Sequence, residues 1–112
     1  MEKAATLIFY RPYKEASKDV KIIVGTVDPN EVVAELRNGS KVALLYHHFG
    51  RREFIAGVYS EGREKLVTTI YEGETYYFKC QVTAVGFELT AKIKRMEFEK
   101  AKSELDALSL SI

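Results

Sequence analysis

The stretch FIAGVYSEGREKLVTTIYEGETYYFKCQV, residues 54–82, decides how this 112-residue chain is read. β-Branched and aromatic side chains alternate with polar ones, and two knots, Glu61-Gly62-Arg63-Glu64 and Glu72-Gly73-Glu74-Thr75, fall where hairpins would turn. An even-numbered hairpin loop fixes which residues share a face. With Gly62-Arg63 and Gly73-Glu74 as turn centres, Tyr59 stands opposite Leu66 and Tyr71 opposite Tyr76. One face then collects Phe54, Ala56, Val58, Val67, Thr69, Tyr71, Tyr76, Phe78, Cys80 and Val82, the expected core. The other collects Ile55, Gly57, Tyr59, Leu66, Thr68, Ile70, Tyr77, Lys79, Gln81 and Thr83, too apolar for bare solvent and too polar for a sealed interior. That second face is either covered by a helix or used for binding.

Outward from this stretch, Val42–Phe49 continues the β pattern upstream, and Phe87–Ile93 alternates downstream after Gly86, which reads as a bulge or bend. Val20–Val27 is a short β-branched run and reads as a strand, whereas Ala4–Tyr10 fits a strand or a helical turn. Asp28-Pro29-Asn30-Glu31 has the order of a helix start: a capping carboxylate, a proline with no amide to leave unbonded, and a glutamate three residues on. With Val27 and Val32 at the staple positions and Asn38-Gly39 as the stop, the pattern predicts a short helix near 29–37 burying Val33 and Leu36. In the tail, Phe98, Ala101, Leu105 and Leu108 recur three or four apart, so Glu97–Leu108 is predicted as an amphipathic helix. The expected fold is α+β, a single domain over residues 1–112. It is mainly an antiparallel β-meander of about five to six strands, as an open sheet or small barrel, with these two helices.

Composition removes several function classes. With 17 Lys+Arg against 16 Asp+Glu the net charge is +1, so any polyanion or anionic membrane must be held by a local patch. The single cysteine, Cys80, excludes an internal disulfide framework and a cysteine-built zinc site. The apolar run after Met1-Glu2-Lys3 is too short for a spanning helix and lacks the form of a signal peptide, so a cytoplasmic location without membrane contact is expected. Amides are scarce, with only Asn30, Asn38 and Gln81 beside 29% charged residues, a balance seen in proteins from hot environments.

Catalytic templates are missing. His47 and His48 are adjacent on a predicted strand and point to opposite faces, so they cannot jointly hold one metal. Cys80 sits on the expected core face, where a free thiol behaves as a small hydrophobe. The pairs Glu61/Glu64 and Glu72/Glu74 lie in turns, and no phosphate-cradling glycine loop or serine-hydrolase elbow occurs. The sequence therefore predicts a non-enzymatic protein with no cofactor and no metal.

The positive signal is aromatic residues set beside cations. The thirteen Phe and Tyr residues, with no Trp, cluster as Phe9-Tyr10-Arg11-Pro12-Tyr13-Lys14, Tyr46-His47-His48-Phe49-Gly50-Arg51-Arg52 and Tyr77-Phe78-Lys79. Single-stranded nucleic acid is held by this combination, because bases stack on aromatic rings and the backbone needs nearby positive charge. The leading expectation is single-stranded DNA or RNA binding through Tyr46, His48, Arg51, Arg52, Tyr59, Arg63, Tyr77 and Lys79. The alternative is a protein-interaction or assembly module with no nucleic-acid role. In it, the seam of Phe98, Ala101, Leu105 and Leu108, extended by Leu110 and Ile112, pairs two copies into a homodimer. Such pairing would also double a modest basic patch. A small-ligand binder with its pocket in a closed barrel is a third reading, supported by no residue constellation.

Overall fold

The computed structural model describes residues 3–58 and 63–110. The chain forms β1 (Ala5–Tyr10), a single 3-10 turn (Glu15–Ser17), β2 (Ile22–Thr26), β3 (Glu31–Leu36), β4 (Lys41–Tyr46), β5 (Gly50–Val58), β6 (Arg63–Ile70), β7 (Thr75–Val85), β8 (Glu88–Met96) and α1 (Phe98–Leu110). The strands make two four-stranded sheets, β4-β1-β7-β8 and β3-β2-β5-β6, packed face to face. The α+β class and the C-terminal helix hold, but the expected meander of five to six strands becomes eight strands divided between two layers.

Phenylalanines join the layers. Phe54 from the second sheet sits 5.9 Å from the Phe9 ring and 5.3 Å from the Phe78 ring, and Phe9 stacks on Phe78 at 5.1 Å. Leu7, Phe9, Cys80, Val82 and Ile93 from one sheet meet Ile22, Val24, Leu36, Ala56 and Ile70 from the other in one continuous core.

The predicted helix near 29–37 is a strand. Residues 27–30 form a turn with a cis Asp28-Pro29 peptide bond, and Thr26 Oγ1 donates to the Pro29 carbonyl at 2.5 Å. The chain then runs back along β2, with Val24 opposite Ala34 and Ile22 opposite Leu36. Ala34 and Leu36 are two apart and both buried, the period of a strand, and the β-branched pair Val32-Val33 favours that state. Gly39 is left-handed as expected, at φ 72°, but Asn38-Gly39 closes the turn into β4 and ends no helix. There the Ser40 amide donates to the Arg37 carbonyl at 3.1 Å.

The predicted hairpin register also changes. Phe54 pairs with Leu66 and Gly57 with Arg63, so residues of equal parity share a face. The residues between Gly57 and Arg63 are odd in number, which turns Leu66 and Ile70 inward and Val67 and Thr69 outward. Nor do β6 and β7 form a hairpin. At the Glu72-Gly73 turn, the Gly73 amide donates to the Lys3 carbonyl at 3.1 Å and the Thr6 amide to the Glu74 carbonyl at 2.9 Å. β1 thereby captures the turn, and β7 enters the other sheet parallel to β1, with Leu7 opposite Tyr76 and Phe9 opposite Phe78.

Two polar devices complete the sandwich. Arg11, just past β1, is 1% exposed, and its guanidinium donates to the Val20, Leu36 and Ser17 carbonyls at 2.5, 2.9 and 2.8 Å. Burial pushes its pKa down from the ordinary arginine value. On the far side, side chains join edge strands β6 and β8. Glu64 accepts from the Ile93 amide at 3.0 Å and pairs with Lys92 at 3.1 Å, while Arg95 donates to Thr68 at 3.2 Å and lies 4.7 Å over the Tyr76 ring.

Arg11→Met leaves three buried carbonyls without donors and is expected to cost about 3 kcal/mol or more, read as a lower denaturant midpoint at unchanged slope. Glu64→Ala is expected to cost about 1–3 kcal/mol and to accelerate hydrogen exchange at the Ile93 amide while the Phe9 and Phe78 amides stay protected.

Candidate interaction face

The two outer surfaces of the sandwich differ in cover. On the first sheet α1 lies across the outward side of β1, β7 and β8, burying Ala101 and Leu108 against Tyr10, with Tyr77, Met96 and Leu105 packed alongside. Polar contacts fix it there. Glu104 pairs with Lys79 at 2.5 Å and accepts from the Tyr10 hydroxyl at 2.9 Å, and Phe98 meets the Tyr77 ring at 5.7 Å. No helix among the described residues covers the second sheet.

Strand register sets what that bare face presents. β2 and β5 place Ile23 beside Gly57 and Gly25 beside Ile55, so two glycines and two isoleucines form a checkerboard. Arg63 follows Gly57, Lys65 follows Ile55, and Val67 follows Glu53 on β6. On β3, Val32 stands next to Gly25 and Glu35 next to Ile23. Val32 is 63% exposed and Val67 41%. Four cations, Lys21, Arg51, Arg63 and Lys65, stand against two carboxylates, Glu35 and Glu53. The face therefore holds more positive charge than the +1 of the whole chain.

Between the glycines lies a hollow of about 320 Å³, lined by Ile23, Gly25, Asn30, Ile55, Gly57 and Arg63 among others. The two glycines have different reasons to be there. Gly25 sits at the register shift opposite β3, and a Cβ on it would approach the Glu31 carbonyl oxygen to 3.2 Å. Gly57 is in a regular part of a central strand with no positive φ, and among the described residues a Cβ there would meet only the flexible Arg63 stem, at 3.3 Å.

The residues expected to bind nucleic acid do not gather on one surface. Arg51 and Arg63 are on the bare outer face, while Tyr77 and Lys79 are on the other sheet beneath α1. Tyr46 and Arg52 point between the layers, Tyr46 only 3% exposed and in ring contact with Phe54 at 5.8 Å. Its hydroxyl and Arg52 Nε are both buried at this end, close enough for the guanidinium to act on the phenol. Burial raises the Tyr46 pKa, the nearby Arg52 charge lowers it, and Glu31 raises it again. His48 lies at this same end of the sandwich, 5.3 Å from the Tyr46 ring and 4.0 Å from Glu31. Tyr59 lies outside the described residues. In the proposed dimer seam, Ala101 and Leu108 are spent within the chain, and Phe98 remains 56% exposed. Ile112 is outside the described residues.

Sequence reasoning set Gly57 and Ile55 on the same second face, and the structure leaves both on the bare outer side beside Ile23, Gly25, Val32 and Val67, which the sequence did not single out. The signal available was the pair of glycines, each inside a β-branched run.

The fold is similar to that of a protein from Eubacterium rectale solved by NMR, at 11% sequence identity and a TM-score of 0.51, with 86% of this chain and 93% of that chain covered. At that identity the likeness shows the fold alone. No protein-family model matches the chain, and no curated protein matches it. No helix among the described residues is long and apolar enough to cross a membrane.

Two buried groups, the Cys80 thiol in the core and the Tyr10 phenol beneath α1, give a pH test of the packing. Burial pushes the Cys80 thiol from 9.0 up to about 12, with Arg11 acting in the opposite sense, and burial with Glu104 pushes Tyr10 above its ordinary 10.0. Both groups are neutral when protonated, so the unfolded chain releases these protons first as pH rises. Their contribution to stability is expected to be flat below about pH 9 and to fall between about 9 and 12, and Cys80→Ala should flatten the early part of that fall in urea midpoints.

Proposed function

We propose that this chain is a non-enzymatic interaction module that engages an acidic partner protein through the bare outer face of the sheet β3-β2-β5-β6. The observation that carries this is the asymmetry of cover. α1 covers β1, β7 and β8 of one sheet and leaves only its edge strand β4 bare, whereas the other sheet lies open along its whole outer side, with Val32 and Val67 exposed around an apolar hollow and a surface of four cations and two carboxylates. An exposed apolar area rimmed by charge of one prevailing sign fits a protein partner carrying the opposite sign.

Single-stranded nucleic acid keeps one support, the row of Arg51, Lys65 and Arg63 along β5 and β6. Its stacking partners are weakened, because Tyr77 is engaged by Phe98 and Tyr46 is buried. Four cations would limit the salt slope to about −3. Fluorescence anisotropy with labelled single-stranded DNA and RNA is expected to show no binding at about 50 mM salt that is lost by about 200 mM. A steep loss over that interval would favour the nucleic-acid reading.

The protein-partner reading is tested by photo-crosslinking from the source cells, with a benzophenone side chain at Val67 and, as control, at Leu45 on the other sheet. Adducts are expected from position 67 alone, mapping to acidic segments of another protein and lost when Arg63 and Lys65 are both changed to Glu. Adducts to nucleic acid or to a second copy, or equal labelling from both positions, would overturn it.

A further inference from the structure

We infer that the hollow between Gly25 and Gly57 is a seat for one bulky apolar side chain carrying a neighbouring carboxylate, with Arg63 as the group that reads the charge. This rests on the interaction-face reading above and specifies the chemistry of its central contact.

Gly57 occupies a strand position whose backbone conformation does not call for glycine. Glycine inside a strand costs about 0.5–1 kcal/mol relative to alanine, and it is usually tolerated where the backbone takes a positive φ, bulges or meets another chain segment closely. Gly57 has no positive φ and no bulge, since β5 pairs without a register break on both sides, and among the described residues a Cβ would touch only the flexible Arg63 stem, at 3.3 Å. A flexible stem can move aside, so a bare backbone at Gly57 leaves room for a group approaching from outside the chain.

The surroundings define the guest. Ile23 and Ile55 supply apolar walls diagonal to the two glycines, and Asn30 stands at the rim. The volume of about 320 Å³ takes a leucine or phenylalanine side chain and lies at the low end for a whole small-molecule site. Arg63 is exposed beside Gly57 on β6, and no ion pair to it occurs among the described residues, whereas Arg51 and Lys65 both reach Glu53. A guanidinium beside an apolar pocket suits a carboxylate, which it can bind through two parallel hydrogen bonds. The guest is therefore an apolar side chain with an adjacent anion.

The test is a two-dimensional amide NMR titration with N-acetyl-phenylalanine, which has the ring and the carboxylate, and with its neutral carboxamide. The acid is expected to shift the Gly25, Ile55 and Gly57 amides, with at least tenfold weaker binding of the carboxamide. Gly57→Val should leave the spectrum of a folded protein and abolish those shifts, since among the described residues its Cβ meets only the flexible Arg63 stem. Arg63→Glu should remove the preference for the acid over the carboxamide. Gly57→Ala, with melting temperature unchanged or raised, would show independently that folding does not require the glycine. Absence of shifts, equal response to acid and carboxamide, or shifts that persist in Gly57→Val would overturn the inference. The crosslinking from Val67 reads the wider face separately, so a failed hollow and a failed face are told apart.

Discussion

The sandwich depends on a guanidinium solvated by carbonyl groups. Arg11 follows the last residue of β1 into the interior and donates to carbonyls of the 3-10 turn, the segment entering β2 and the end of β3. The crossing from β1 to β2 must leave one layer and join the other, and a chain making that step buries backbone carbonyls with no ladder to receive them. A single planar donor satisfies three at once, in a geometry no ammonium reproduces. Its cost is a charge held away from water, which is why its proton affinity falls.

The opposite edge of the sandwich follows the same logic with different groups. β6 and β8 approach one another without a ladder between them, and Glu64, Lys92, Arg95 and Thr68 make the contacts. One side is closed by a side chain capping backbone, the other by side chains joining edge strands. The phenylalanine layer between them is continuous, so the polar devices set the position of the layers and the aromatic contacts supply the bulk of the burial.

What was legible in the sequence follows the range of the interactions. Local alternation identified most of the strands from β2 to β8 within a few residues, because each carries its own period. The tail helix was readable for the same reason, through Ala101 and Leu108. Topology was not. Whether a glycine turn reverses within a sheet or crosses to the other depends on its outside partner, and at Gly73 that partner is Lys3, some seventy residues earlier in the chain. The segment 28–37 failed because helix-cap chemistry and turn chemistry use the same residues, and only pairing with β2 decides between them. The aromatic and basic residues read as one group in the sequence, but one change of register parity and one crossing sent them to three different surfaces.

Gly57 carries a consequence for how such a chain changes over time. Neither a positive φ nor a register break requires it, and alanine in that strand would leave less conformational freedom to lose. Selection for thermal robustness in isolation, by directed evolution or by consensus design, would thus tend to replace it. The product would be a sturdier sandwich with a shallower hollow, its loss invisible to any assay that measures only folding.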